Sequence, residues 1–162
     1  YGASSDLVLQ QTTGSWVAKT STRTRETARS LRAVLDELER LRTNHVSFDE
    51  LRTAKSYLVG HMALEFETSD DIAAQTLELL VHNLPLDYWN AFPEKIKDLV
   101  APEVTGVAKH YWADDRRVIV LVGDASQFAK DLKKFGPYQI VPLEDLDLSS
   151  PDLRRPASAS GR

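Results

Sequence analysis

The sequence predicts an α+β fold, with helices packed on one face of a largely antiparallel sheet, and three observations predict it. Short β-forming runs open the chain, a block of segments with apolar residues at steps of three and four follows, and β-type runs return near the end. A chain of 162 residues is enough for one globular domain with a sizeable core. Apolar residues make up 42% and charged ones 27%, the composition of a folded body rather than a disordered one.

The first run, Asp6–Gln10, and the second, Ser15–Thr20, are rich in β-formers and joined by Thr12-Thr13-Gly14, which reads as a hairpin. From Ala28 the period changes. Leu31, Val34, Leu35, Leu38 and Leu41 form one helical stripe, with Thr22 or Thr24 as its cap and Thr43-Asn44-His45 as its end. Ser47-Phe48-Asp49-Glu50 has the form of a capping box, flanked by Val46 and Leu51 at the positions of a hydrophobic staple. The helix it starts carries Leu51, Ala54, Leu58, Met62 and Phe66 as its stripe. Gly60 costs it about 1 kcal/mol relative to alanine and offers a place for close packing. Thr68-Ser69-Asp70-Asp71 opens a third helix, with acids where the N-terminal dipole favours them, running to about Val81. Leu84–Trp89 breaks the pattern and begins a short turn or helix, Pro93 starts another brief helical segment, and Pro102 sits at the head of a further helix with Val104, Val107, Ala108 and Tyr111 inward. Arg117–Val122 reads as a buried strand stopped by Gly123-Asp124. A short helix with Phe128 and Leu132 follows, then a last strand, Tyr138–Val141. Residues 1–148 form the folded part. The Ser, Pro, Ala and Arg composition of 149–162 predicts a disordered tail.

Composition narrows the partners. A net charge of −4 and a pI of about 5.6 give no reason to expect a nucleic-acid partner. Arg23, Arg25, Arg29, Arg32, Arg40 and Arg42 are interleaved with Glu26, Asp36, Glu37 and Glu39, the pattern of a solvated helix face. With no cysteine, a thiolate zinc site and a cysteine nucleophile are excluded. No apolar run approaches the ~18 residues of a membrane span. The compartment stays open, with a soluble protein of bacterial periplasm or cytoplasm as the expectation. The chain begins at Tyr1 rather than methionine, which places the true N-terminus upstream and leaves room for a targeting segment there.

Self-contained chemistry is hard to assemble. His45, His61, His82 and His110 are separated by 16, 21 and 28 residues, so no two share a helix face as a zincin pair does. His61 reads as a partly buried helix histidine. Glu65 and Glu67 beside Phe66 read as surface carboxylates rather than a catalytic pair. Gly123-Asp124 lacks the further glycines and the lysine of a nucleotide loop, and no G-x-S-x-G occurs. The residues alone describe an α+β domain that lacks an active site of its own.

The order of the motifs resembles one family. Tyr1-Gly2-Ala3-Ser4-Ser5 is similar to the "G-L-A-Y-x-x-x-S" stretch in the second repeat of insulinase/pitrilysin-type (M16) zinc peptidases, and Gly14-Ser15-Trp16-Val17 to the strand after it. Val46–Leu51 with Ala54-Lys55 resembles "v-t-x-x-E-L-x-x-A-K", and Phe66-Glu67-Thr68 resembles "f-E-t". Asn83–Tyr88 resembles "g-L-P-x-d-Y", and Val120–Asp124 resembles "v-v-V-G-D". The likeness covers residues 1 to 145.

The resemblance implies a clam-shell enzyme of two similar repeats. One holds zinc through an H-x-x-E-H helix and a distant glutamate, and the motif's glutamate activates the metal-bound water. The other supplies substrate-binding residues, an arginine and a tyrosine among them. Tyr1 matches that tyrosine, whose hydroxyl would hydrogen-bond the scissile carbonyl or its oxyanion. Neither catalytic nor metal-ligating residues are expected here, and Glu50 is read as a capping residue. The implied function is the non-catalytic, substrate-binding half of a zinc endopeptidase acting on unfolded peptides. Its partner would be a zinc-binding repeat in the same chain or in another subunit. The alternatives are an inactive scaffold or assembly subunit of the same family, and a helix-rich interaction module outside it.

Overall fold

The computed structural model describes residues 2–10, 12–113 and 117–155. Gly2–Leu9 (β1) and Gly14–Ser21 (β2) form an antiparallel pair in register from Gly2 opposite Ser21 to Leu9 opposite Gly14. The Gln10 amide closes the turn by donating to the Thr13 carbonyl at 2.9 Å. Gly14 fits closely there: a Cβ would lie 3.2 Å from the Val8 carbonyl oxygen, so a larger residue would push the strands apart by a few tenths of an ångström. Asp6 and Lys19 meet diagonally across the pair at 2.8 Å. Every residue of β1 is exposed. Trp16 of β2 reaches Trp112, with ring centroids 4.5 Å apart.

Helices Thr27–Thr43 (α1), Phe48–Met62 (α2), Ser69–Val81 (α3), Tyr88–Asp98 (α4) and Ala101–Tyr111 (α5) follow. Their starts obey the local rules. Ser47 Oγ accepts from the Glu50 amide at 3.2 Å while Glu50 accepts from the Ser47 amide at 2.8 Å. Thr68 and Asp71 make the same reciprocal pair, each bond 3.1 Å. At the head of α5 the Glu103 carboxylate accepts from the Val100 amide at 2.9 Å, half of such a box. Before α1, neither Thr22 nor Thr24 acts as a side-chain cap. A single 3-10 turn, Thr24–Glu26, leads in, and Thr27 Oγ1 donates to the Thr24 carbonyl at 2.8 Å.

The end of α3 is equally well made. Asn83 adopts φ 53°, the Leu84 amide donates to the Leu79 carbonyl at 2.8 Å, and the Asn83 amide donates to the Leu80 carbonyl at 3.3 Å. This is a Schellman cap with asparagine in the left-handed position.

Side-chain burial departs from the predicted stripes. In α2 the half-buried positions are Leu51, Lys55, Val59 and Met62, whereas Ala54 and Leu58 are exposed. Nothing approaches Gly60, so it serves no close packing. In α3 only Leu79 is buried; Ile72, Leu77, Leu80 and Val81 are exposed. In α5 the buried side chains are Thr105 and Ala108, while Val107 and Tyr111 are exposed. Helix α4 begins at Tyr88 and carries Pro93 inside it. The turn or helix expected from Leu84–Trp89 and the segment expected from Pro93 are one helix, because the Tyr88, Asn90 and Ala91 amides already find the Pro85 and Asp87 carbonyls. The proline then removes the bond that the Trp89 carbonyl would accept.

The chain divides by its contacts into two compact units. Residues 1–21 and 30–119 make the first, and 22–29 with 120–162 make the second. In the first, Leu31, Leu79, Thr105 and Ala108 are the buried side chains, and Phe66, Trp89 and Phe92 pack edge to face at 5.5–5.8 Å. In the second, Phe128 and Leu132, the latter on the short helix Ala129–Leu132 (α6), are buried, and Tyr138 Oη donates to the Ala129 carbonyl at 2.9 Å.

The sheet is smaller than predicted. Among the described residues it has the two strands of the hairpin, and the fold is α+β at that level. Residues 117–122 and 138–141 form no ladder. Val118 and Val122 are 85% and 96% exposed while Leu121 is half-buried, so the run read as a buried strand is covered on one side at most and pairs with no strand among the described residues. A strand obtains its hydrogen bonds from another strand, and sequence pattern alone does not supply one. From Ser149, where the tail was expected, residues up to Arg155 fold back in turns. The Arg155 amide donates to the Asp145 carbonyl at 2.8 Å, and Leu146 bridges Arg154.

Candidate functional site

Tyr1, the substrate-binding residue implied by the resemblance, lies outside the described residues. What is described is the strand that follows it. Gly2 pairs with Ser21 at the end of the hairpin away from its turn, and Thr20 Oγ1 donates to the Gly2 carbonyl at 3.2 Å. The hydroxyl thus ties down the strand at the residue next to Tyr1.

Glu50 sits in a different environment. One carboxylate oxygen accepts from the Ser47 amide, and the other lies 3.0 Å from the Arg40 guanidinium, which also grips Glu37 at 2.6 Å. The Ser47 amide and hydroxyl, then Arg40, hold the Glu50 carboxyl below its ordinary value. The bond to Arg40 does the same to Glu37. A carboxylate engaged in this way closes a helix start and joins it to α1.

The histidines are dispersed: among the described residues His110 meets only the ring of its neighbour Tyr111, and the other three are engaged one at a time. His45 Nδ1 lies 3.0 Å from Thr105 Oγ1, and that hydroxyl is 3.2 Å from the Asn44 carbonyl, so the exit of α1 is tied to the buried face of α5. His61 is exposed rather than partly buried, because it stands outside the inward stripe of α2. It stacks on Tyr57 at 5.4 Å and lies 3.4 Å from Glu65. His82 lies 3.1 Å from Glu78. Glu67 is exposed at the end of the 3-10 turn Leu64–Phe66. Asp124 accepts from the Ser126 amide and hydroxyl and from Gln127, and these bonds hold its carboxyl below the usual range. It caps a turn. Among the described residues no group of three or more His, Asp or Glu is gathered to hold a metal, and no helix is long and apolar enough to cross a membrane.

Two hollows remain in the first unit. One, about 160 Å³, lies among Leu58, His61, Met62, Phe66, Trp89 and Phe92, and the Trp89 indole N–H is buried without a partner. The other, about 560 Å³, runs along α2. The Arg40–Glu37–Glu50 cluster and the His45–Thr105 link escaped the sequence reading. The first needs the angle between α1 and α2, and the second joins residues 60 apart. Compared with known family models, curated proteins and solved structures, the chain matches none.

Proposed function

We propose that this chain is the non-catalytic, substrate-binding half of an insulinase/pitrilysin-type zinc metalloendopeptidase that acts on unfolded peptides. In this reading the zinc-binding repeat comes from the same protein or from a partner subunit. The observation that carries it is uncovered apolar surface on otherwise well-made helices: Leu58 on α2, and Ile72, Leu77, Leu80 and Val81 on α3. Such faces suit a body that packs against further structure of its own kind.

The placement of the motifs supports the same reading. Val46–Leu51 leads into α2, Phe66-Glu67-Thr68 leads into α3, and Asn83–Tyr88 makes the connection to α4. Among the described residues, His45, His61 and His82 are engaged one at a time, and Glu50 is engaged by Ser47 and Arg40. In the proposed enzyme the other repeat holds the metal. Tyr1 contributes a phenol hydroxyl that donates to the substrate carbonyl.

The test is Tyr1→Phe in the intact protein. Loss of one donor to a developing oxyanion lowers turnover by roughly a hundredfold, with the unfolding midpoint unchanged. An unaltered rate would remove Tyr1 from its assigned role, and an intact protein that cleaves no peptide would leave the inactive scaffold reading.

A further inference from the structure

The larger hollow along α2 has a chemistry that the proposed function does not use. Its lining includes Phe48, Leu51 and Val59 as apolar side chains and Arg52, Lys55 and Lys97 as cations, with no carboxylate. From Phe48 to Val59 the helix rises about 16 Å, which makes the hollow an elongated groove. Lys55 Nζ donates to the Lys97 carbonyl, Arg52 pairs with Asp49 at 2.8 Å and Lys97 with Glu94 at 2.6 Å, but the four side chains of the two ion pairs are more than half exposed. Exposed pairs of this kind are weak and exchange readily for a better-placed anion.

The same chain carries a body of opposite character. The turn at residues 143–155 presents Leu143 and Leu148, each 81% exposed, beside Glu144, Asp145, Asp147 and Asp152. It is closed on itself: the Asp147 amide donates to the Leu153 carbonyl at 3.1 Å and the Arg155 amide to the Asp145 carbonyl at 2.8 Å. Ser149 bonds the Asp147 carboxylate and Ser150 bonds that of Asp152, which keeps both ionised. A preformed loop loses little freedom on docking.

We propose that the chain associates head to tail, the acidic leucine loop of one copy seating in the basic, apolar groove of a second. The leucines would cover the floor formed by Phe48, Leu51 and Val59, and the carboxylates would face Arg52, Lys55 and Lys97. The two faces differ, so the contact is heterologous. Each added copy leaves one groove and one loop free.

The test uses two variants of the full chain, both changed at exposed positions. Phe48→Ser with Arg52→Glu spoils the groove; Glu144→Lys with Leu148→Ser spoils the loop. Sedimentation of the parent chain should show mass rising with concentration and falling with added salt. Each variant alone, with an unchanged far-UV spectrum, should associate about tenfold more weakly or worse. Mixed one to one, the variants should recover a dimer and stop there, because one intact groove meets one intact loop. A parent chain that stays monomeric overturns the proposal. So do variants that associate like the parent, as they would through other apolar faces or an isologous contact, and so does a mixture that gives no dimer.

Discussion

Helix α3 and the run at residues 117–122 are both strongly apolar, yet only one of them is a finished element. Ile72, Leu77, Leu80 and Val81 are exposed on α3, and Val118, Val120 and Val122 are exposed in the run. The helix is nevertheless complete, with Thr68 and Asp71 closing its start and Asn83 and Leu84 its end. Its backbone bonds are made within it. The valine-rich run has the composition of a strand and makes no ladder. The difference teaches that an element bonded internally can form without cover, whereas one bonded externally waits for a neighbour.

The largest effect expected from this contrast is in the packing. Leu79→Ala, at a site 3% exposed, should cost about 2–5 kcal/mol in urea unfolding. Val122→Ala, at a site 96% exposed, should stay within about 0.5 kcal/mol. Equal losses at the two sites would break the comparison by giving the run a packed partner. Next comes the cap: Thr68→Ala should lower stability by about 1 kcal/mol through loss of the Asp71 amide bond. A neutral result would mean that α3 is held by its neighbours rather than by its own ends.

The smallest effect is electrostatic. Glu37 and Glu50 are held below their ordinary value of 4.5, so their contribution is present above that pH. It is lost as pH falls through their folded values. The gap in urea midpoint between the parent chain and Arg40→Ala should therefore be open at neutral pH and close in acid. A gap that persists in acid would assign Arg40 a packing role instead.

The same division explains how much was legible in the sequence. The capping box at Ser47, the acids at the head of α3 and the hairpin turn through Gly14 are local, and each stands where the residues placed it. The inward face of α5 was misread because Val107 and Tyr111 are apolar and Thr105 is not. Burial of Thr105 depends on bonds to His45 and Asn44, far away in the chain. Leu84–Trp89 and Pro93 were read as the starts of two separate segments, but the carbonyls of Pro85 and Asp87 begin a single helix that runs through Pro93. Of the candidate site, Tyr1 lies outside the described residues. The capping role of Glu50 was legible, and its pairing with Arg40 was not, since ten residues and a turn of the chain intervene.

The hairpin carries a consequence for preparing the protein. A two-stranded ladder leaves every second backbone N–H and C=O of each strand turned toward water. Such a rim accepts any extended chain, whatever its side chains, and Val118–Val122 of a neighbouring molecule is an exposed apolar run that joins no ladder among the described residues. Refolding would then become a race between intramolecular closure and capture by a stranger. Dilution would then raise the yield of soluble material.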